Sequence, residues 1–206
     1  INKLNKDNSV HGILVQLPLP KHMCEDDIIK TIAPEKDVDG FHPQSVGALS
    51  IGQKGFVSCT PAGVIQLLKR SGIEIEGKEC VVLGRSNIVG LPISKLLLDE
   101  NATVTIAHSK TKNLKEITRQ ADILVVAIGK LGFVTSDMVK EGCTIIDVGI
   151  NRDPNTGKIK GDVNISEDEI INKNISISPV PGGVGPMTIC CLLENTIECF
   201  NKKFGF

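Results

Sequence analysis

The sequence lacks three features that would assign it to a class at once: a long apolar run, an excess of one charge, and closely spaced cysteine pairs. No apolar stretch approaches the roughly 18 residues that cross a bilayer, and no secretory signal opens the chain. The 23 Lys and Arg residues are interspersed with 24 Asp and Glu, which argues against a nucleic-acid or anionic membrane surface. We therefore expect a soluble protein that acts on small molecules.

The seven cysteines include no CxxC pair and no Cys/His spacing typical of a metal site. Scattered thiols in an odd number indicate a reducing, cytosol-like compartment. Cys190 and Cys191 lie side by side in an apolar helical pattern, where adjacent positions face different ways, so we expect core residues rather than a redox pair. His11, His22 and His42 show no ligand spacing either, and we predict that they are non-catalytic.

From about Thr60 onward, short apolar runs alternate with segments of helical spacing. The runs that we predict as strands are 80–84, 102–107, 123–129, 144–150 and 175–180. The intervening segments 92–100, 113–121 and 136–142 are predicted to be helical, as is the amphipathic stretch from Thr60-Pro61 to Gly72. This alternation predicts a parallel sheet with right-handed crossovers and strands buried on both faces.

The first 57 residues differ from the rest of the chain. They contain one strand-like run, GILVQL at 12–17, one short helical segment near 25–32, and connections rich in Pro and Gly. We interpret this segment as part of a second domain.

The segment VVLGRSNIVGLP, residues 81–92, suits a phosphate-binding turn. A strand that ends in glycine and leads through a loop into a helix presents backbone N–H groups and a positive helix end to an anion. Gly84, Ser86 and Gly90 fit that use. The spacing is G-x-S-x-x-x-G rather than G-x-G-x-x-G, so an ordinary tight turn between strand and helix is an equal alternative.

The end of the next strand favours NADP over NAD. NAD-binding folds place an acid there, about 20 residues past the first glycine, to bind the ribose hydroxyls. This sequence has His108-Ser109-Lys110 instead. A guanidinium forks onto phosphate oxygens and a serine donates a hydrogen bond, so Arg85 with Ser109 and Lys110 suits a 2′-phosphate. The alternative is that Arg85 and Lys110 are solvated surface charges.

Eight strings follow one another along the chain: GILVQLPLP, PEKDVDGFHP, CTPAGVIQLL, GRSNIVGLP, HSKTKNL, DVGINR, GDV and PVPGGVGPMT. Together they closely resemble the bifunctional methylenetetrahydrofolate dehydrogenase/cyclohydrolase family, from about residue 10 to residue 198. The resemblance implies oxidation of 5,10-methylenetetrahydrofolate by NADP to the methenyl cation, and hydrolysis of that cation to 10-formyltetrahydrofolate. It also implies a cytoplasmic homodimer.

The fold class that we expect is α/β: a Rossmann-like parallel-sheet domain plus part of a second α/β catalytic domain, with the folate cleft between them. The NADP-binding domain is predicted over 59–186. Residues 1–58, joined by a C-terminal helix at 187–206, would form the remaining part of the N-terminal folate-binding domain.

The resemblance also implies roles for individual residues. Its cofactor-binding residues are Gly84, Arg85, Ser86, Ser109, Ile150 and Thr188. The first three would hold the pyrophosphate and adenosine, the fourth the 2′-phosphate, and the last two the nicotinamide side. Its folate-binding residues are Val15, Gln16, Leu17, Asp39, Pro181, Gly182, Gly183, Val184 and Gly185, of which Gln16 and Asp39 are also catalytic candidates.

Each folate-site residue has a structural alternative. A carboxylate accepts two parallel hydrogen bonds from an amino-pyrimidine edge, which suits Asp39 to a pterin, but Asp37 could do the same and either could be a structural cap. Gln16 lies on a predicted buried strand, where it could be a satisfied core amide. The glycines of PGGVGP let backbone approach a flat ligand closely, or form a plain turn before a helix.

One part of the family's machinery is missing. The resemblance places the hydrolysis on a lysine with a tyrosine four residues before it, on a helix well upstream of VQLPLP. The sequence has no tyrosine, and Lys3 and Lys6 lie too close to the strand. We expect that an N-terminal segment is absent and that the chain as given could bind NADP yet be inactive. The alternatives are a non-catalytic NADP-binding module and a monofunctional NAD-dependent dehydrogenase; Arg85 with Ser109 argues against the latter.

Overall fold

The computed structural model describes residues 1–205, without the side chain of Lys203, and divides into two units. The first comprises Ile1–Cys59 and Ile189–Phe206, and the second comprises Thr60–Thr188. Phe206, the end of the predicted C-terminal helix, lies outside the described residues. The domain boundaries at 58/59 and 186/187, with their assigned roles, stay a prediction.

A five-stranded parallel sheet forms the centre of the second unit, which confirms the predicted α/β class. Its strands are β1 (Glu79–Leu83), β2 (Thr103–Ala107), β3 (Ile123–Val126), β4 (Thr144–Asp147) and β7 (Ser176–Ile177). Their order is β2-β1-β3-β4-β7. A two-stranded antiparallel hairpin, β5 (Asn151–Arg152) with β6 (Ile159–Lys160), was not predicted.

Three strands end earlier than their apolar runs. β3 stops at Val126 rather than at 129. The Ala127 amide still bonds the Leu83 carbonyl, but the amides of Ile128 and Gly129 bind the carboxylate of Asp162 instead of a neighbouring strand. β4 stops at Asp147 rather than at 150. The side chain of Asp147 accepts a hydrogen bond from the amide of Gly149. The fifth run, 175–180, contributes only the two residues of β7.

The helices of the second unit lie on both faces of the sheet. They are α4 (Cys59–Arg70), α5 (Gly90–Asp99), α6 (Leu114–Thr118), α7 (Glu167–Asn172) and the start of α8 (Val184–Phe204). The helix expected over 136–142 is wrong, because only a 3-10 turn, Ser136–Met138, forms there. The carbonyl oxygens of Ser136 and Val139 both accept hydrogen bonds from the ammonium of Lys173, and Ser136 accepts from its own chain only the Val139 amide that closes the 3-10 turn.

Alternate residues of the strands contribute to two separate hydrophobic clusters. Val82 and Val125 pack with Leu68 of α4 and Leu97 of α5 in one cluster. The neighbouring strand residues Val81, Leu83, Leu124 and Val126 belong to the other, with Val134 and Met138. A sheet covered on both faces needs apolar side chains at every position, which explains the unbroken apolar runs.

The first unit contains α1 (Asn2–Lys6), α2 (Glu25–Thr31), a 3-10 turn (Pro34–Lys36), α3 (Pro43–Ser50) and the part of α8 from residue 189. The short helix expected near 25–32 is confirmed. The strand expected at 12–17 is wrong, because only Ile13 pairs with a neighbouring segment, in an isolated parallel bridge to Asp37.

Among residues 1–205, no helix is both long enough and apolar enough to cross a membrane.

Candidate functional site

At two positions of the turn after β1, no residue larger than glycine fits. Gly84 has a φ of +135°, and a Cβ there would lie 2.3 Å from the carbonyl oxygen of Ala127. Gly90 opens α5, and a Cβ there would lie 2.4 Å from the carbonyl oxygen of Gly84. The two glycines therefore allow the first turn of α5 to approach the end of β1, as phosphate-binding turns require.

Ser86 and Arg85 differ in what they contact. The Ser86 hydroxyl accepts a hydrogen bond from the Gly90 amide at 3.4 Å, and the Ser86 carbonyl accepts one from the Leu91 amide at 3.0 Å. Ser86 therefore caps the start of α5. Arg85 is exposed and makes no hydrogen bond or ion pair with the described residues, so its guanidinium is available to a ligand.

A cavity of about 260 Å³ lies at the carboxyl end of the sheet. Its lining residues are Leu83, Gly84, Arg85, His108, Ser109, Leu114, Ala127, Ile128, Lys130 and Phe133. Nucleotides bind in doubly wound folds where the strand order reverses, and here β2 and β3 lie on opposite sides of β1. Three predicted cofactor residues, Gly84, Arg85 and Ser109, thus line one cavity at the position that the fold favours.

The charges around this cavity are positive. Arg85 and Lys130 are cationic, and no carboxylate is among the lining residues. The Ser109 hydroxyl is exposed and has no partner in the part of the chain that the structure describes. This donor set fits the phosphates of a dinucleotide, including an extra phosphate on the adenosine ribose.

The turn that carries Ser109 is held by its neighbours. The His108 amide donates to the hydroxyl of Thr111 at 2.8 Å, and the Lys110 amide donates to Nδ1 of His108 at 3.1 Å. Both bonds fix the backbone on either side of Ser109. Lys110, whose charge suits a 2′-phosphate by the sequence alone, is exposed and does not line the cavity.

The cavity contains two residues that the sequence analysis missed. Lys130 follows β3, as Arg85 follows β1, and its ammonium lies 5.6 Å from the centre of the Phe133 ring. The carboxyl ends of parallel strands share one edge of a sheet, so a cation just beyond the predicted third strand was a signal for Lys130. Phe133 comes from a loop and had no such signal.

Ile150 and Thr188 do not line this cavity. Ile150 follows β4 and is 71% exposed. The Thr188 hydroxyl lies 3.1 Å from that of Thr60 and donates to the carbonyl of Val184 at 3.1 Å. Of the six predicted cofactor residues, three line the cavity, Ser86 lies in the adjoining turn without lining it, and these two are elsewhere in the second unit.

The PGGVG segment precedes and begins α8. Gly183 is structural, because its amide bonds the Pro179 carbonyl at 3.0 Å and a Cβ there would lie 2.6 Å from the same oxygen. Val184 is buried in the core cluster. Gly182 and Gly185 instead face open space, with no atom within 4 Å of an added Cβ. Pro181 is exposed, so three of these five residues leave room for a flat ligand.

The two carboxylates of the DVDG turn have different surroundings. Asp37 is buried and accepts hydrogen bonds from the His42 amide at 2.8 Å and the Ser45 hydroxyl at 3.2 Å. Asp39 is half-buried and has no hydrogen-bond partner among the described residues. Burial, and secondarily the charge of Asp37, raises the pKa of Asp39 to about 6. Asp37 therefore acts as a structural cap, whereas the oxygens of Asp39 remain available as acceptors.

Val15, Gln16 and Leu17 lie in irregular backbone rather than in a buried strand. The alternative of a core amide at Gln16 is excluded, because the side chain is exposed and donates only to the adjacent Leu17 carbonyl at 3.0 Å. Val15 and Leu17 are half-buried.

The histidines and paired cysteines have structural contacts. Nδ1 of His42 accepts a hydrogen bond from the Gln44 amide at the start of α3. The His11 ring packs 5.2 Å from that of Phe200. Cys191 is buried as expected, whereas Cys190 is exposed, so the expectation of a core position is wrong for Cys190.

Two family models match the chain. Residues 58–204 match the NAD(P)-binding domain of tetrahydrofolate dehydrogenase/cyclohydrolase, and residues 1–39 match the catalytic domain of the same family. The bifunctional protein FolD of Lachnoclostridium phytofermentans is 67% identical over 197 residues, which cover 96% of this chain and 69% of that protein. That of Listeria innocua is 57% identical over 202 residues, covering 98% and 70%.

Solved structures agree with these matches. The bifunctional FolD dehydrogenase/cyclohydrolase of Campylobacter jejuni has a TM-score of 0.92 and 55% identity, covering 98% of this chain and 71% of that one. The Trypanosoma brucei enzyme, solved with NADP cofactor and inhibitor, has a TM-score of 0.89 and 42% identity, covering 98% and 70%. With these matches on both sequence and structure, the chain belongs to the tetrahydrofolate dehydrogenase/cyclohydrolase family.

Proposed function

We propose that this protein binds NADP in the cavity lined by Arg85 and Ser109 and oxidises 5,10-methylenetetrahydrofolate to 5,10-methenyltetrahydrofolate, which is then hydrolysed to 10-formyltetrahydrofolate. The observation that carries the proposal is the cationic cavity at the point where the sheet order reverses, beside a glycine turn that admits no other side chain. The family's NAD(P)-binding domain, matched over residues 58–204, supports the same cofactor.

The oxidation needs orientation more than acid or base catalysis. The methylene carbon loses a hydride, which NADP accepts when bound, and the product is the methenyl cation. Water then adds to that carbon, one C–N bond breaks, and a proton is released. Holding two flat rings in register and excluding water is sufficient for the hydride step.

Several residues are assigned to these tasks. Arg85 and Ser109 bind the 2′-phosphate, while Gly84 lets the backbone approach the pyrophosphate. Asp39, ionised above pH of about 6, accepts hydrogen bonds from the pterin edge. Gln16 is available as a polar contact for folate because its amide makes only a local bond. The sequence holds no tyrosine, so the Tyr-x-x-x-Lys pair that the resemblance implies for the hydrolysis is not among its residues.

We also propose a cytoplasmic homodimer, with 59–186 as the NADP-binding domain. The second unit, Thr60–Thr188, supports that domain assignment. None of the cysteines in residues 1–205 forms a disulfide, which suits a reducing compartment. The resemblance to the family supports the dimer.

Two measurements on the same protein test the function. Calorimetric titration with NADP should show saturable binding, and absorbance of methenyltetrahydrofolate should rise when NADP and the methylene substrate are supplied together. Binding of NADP without product would identify a non-catalytic binding module. Absence of NADP binding would refute the proposed function altogether.

A further inference from the structure

Asp162 is a fully buried carboxylate that the proposed reaction does not use. Its Oδ2 accepts hydrogen bonds from the amides of Ile128 and Gly129, both at 2.9 Å. Its Oδ1 accepts from the amide of Lys130 and from the side chain of Asn151, both at 2.8 Å. Three consecutive backbone amides therefore converge on one internal anion, as they do around bound phosphates.

Two of these three residues form part of the wall of the cavity. Ile128 and Lys130 line it, and Gly129 joins them. Hydrogen bonds to an ionised acceptor are stronger than those between neutral groups, so the carboxylate fixes this backbone more firmly than a turn alone would. The direction in which Lys130 leaves the backbone depends on that conformation.

Asp162 is itself held in place from both sides. Its amide donates to Oδ1 of the buried Asp147 at 3.0 Å, and the next amide, that of Val163, donates to Oδ2 at 3.0 Å. A Cβ on Gly149 would lie 2.4 Å from Cγ of Asp162, and one on Gly161 would lie 1.9 Å from Oδ2 of Asp147. The DVG and GDV strings of the sequence thus build a single rigid support.

The fourth hydrogen bond extends this support to another segment. Asn151 directly follows Ile150, which we assign to the nicotinamide side of the cofactor. The carboxylate of Asp162 therefore links the cavity wall at 128–130 to Asn151, the neighbour of Ile150.

We propose that Asp162 is a positioning residue for the dinucleotide: by holding the 128–130 backbone it sets the affinity of the cavity without touching the cofactor. This inference rests on the proposed function. We assign Arg85 to the 2′-phosphate alone and the wall at 128–130 to the part of the ligand common to NADP and NAD. Loss of the support should therefore weaken both.

The test is Asp162→Asn in the full chain. The amide keeps the shape but places an NH2 group against backbone N–H donors. We expect the dissociation constants of NADP and NAD each to rise about 10-fold or more, the loss typical of a hydrogen bond to a charged group. Hydrogen exchange of the amides of 128–130 in the free protein should accelerate. Neither change is expected for Asp153→Asn, whose buried carboxylate caps the β5–β6 hairpin by accepting from the amides of Asn155 and Thr156.

Asn151→Ala provides a milder variant that removes one of the four donors. A several-fold loss of affinity for both dinucleotides is expected. If Asp162→Asn does not fold, this variant tests the positioning role of Asp162 in its place. Unchanged affinities in folded variants, or equal losses in Asp153→Asn, would overturn the inference while leaving NADP binding by the unsubstituted protein intact. If the unsubstituted protein did not bind NADP, the proposed function would fail first and this inference with it.

Discussion

Asp37 and Asp39 stand two residues apart in one turn, yet only Asp37 has hydrogen-bond partners among the described residues. Asp37 satisfies the His42 amide and the Ser45 hydroxyl, so its charge is compensated where it is buried. At Asp39, partial burial and the charge of Asp37 both disfavour the ionised form, and no hydrogen bond compensates for them. Its pKa is therefore raised. The spacing in the sequence could not separate these roles.

The first prediction concerns Asp39→Asn and pH. The pKa of Asp39 in the folded protein is about 6, above its ordinary 3.8. The protonated carboxyl group therefore contributes fully to the stability of the fold below a pH of about 3.8, and this contribution is lost as the pH rises through 6. Near neutral pH we expect Asp39→Asn to be more stable than the unsubstituted protein by about 1 kcal/mol, a value discounted for partial exposure.

Urea unfolding at a series of pH values measures this difference. It should shrink toward zero as the pH falls to about 4. Asp26→Asn, at an exposed position in α2, serves as the matched control and should show no such trend. A stability difference for Asp39→Asn that did not vary with pH would mean that the carboxylate is not perturbed by burial.

The second prediction concerns Arg85→Ala. Because the guanidinium is exposed and unpaired within the described chain, its removal should leave stability unchanged. NADP binding should weaken by about 1.5 to 3 kcal/mol, the range for a hydrogen bond to a charged group, while NAD binding stays nearly the same. Arg70→Ala, which removes an exposed arginine bonded only to Gln66 on α4, is the control. Equal losses for NAD and NADP would show that Arg85 does not contact the 2′-phosphate.

The third prediction concerns Gly90→Ala. A methyl group there would have to displace the Gly84 carbonyl, so the turn must open. We expect a loss of roughly 1 to 3 kcal/mol in stability and a marked loss of NADP affinity. Gly47→Ala in α3 adds a methyl group in open space and should raise stability by about 0.5 to 1 kcal/mol. Normal NADP binding by Gly90→Ala would be incompatible with a tight phosphate turn.

The fourth prediction concerns Asn195→Ala. The Asn195 amide donates to the carbonyls of Val38 and Val57 at 2.8 and 3.0 Å, which ties the residue before Asp39 to the segment before α4. Its removal takes the Asn195 donor from the Val57 carbonyl and leaves the Val38 carbonyl with only the weak Cys59 thiol donor. We therefore expect a loss of about 1 to 3 kcal/mol in unfolding free energy and weaker folate binding. Thr196→Ala removes a bond to its own helix only and should have little effect. Folate affinity that stayed normal in Asn195→Ala would separate this residue from the site.

The sequence predicted the sheet well because β1, β3 and β4 are buried on both faces, and only unbroken apolar runs satisfy that environment. The expectation of burial on both faces is wrong for β2, an edge strand in which Thr103, Thr105 and Ile106 are exposed. The lengths of β3 and β4 were overestimated because carboxylates bind amides just beyond the strands. Asp162, far away in the sequence, accepts from Ile128 and Gly129, and Asp147 accepts from Gly149. The apolar pattern reports neither effect. The strand-like run at 12–17 was misleading, because a strand also needs a neighbouring segment to pair with and only Ile13 has one.

The candidate cavity was partly predictable for a similar reason. Arg85 and Ser109 follow adjacent strands, so the parallel order alone places them at one edge. Lys130 follows the third strand and could have been included by the same argument. Asp162 could not, because its role depends on a loop that returns to the end of β3 from 32 to 34 residues away.

The most direct measurement is the ratio of the dissociation constants of NAD and NADP for the unsubstituted protein, determined by calorimetry at one salt concentration. We expect NADP to bind at least about 10-fold more tightly, since Arg85 and Ser109 both line the cavity and are assigned to the extra phosphate. Equal affinities, or tighter binding of NAD, would contradict a cavity built for the 2′-phosphate.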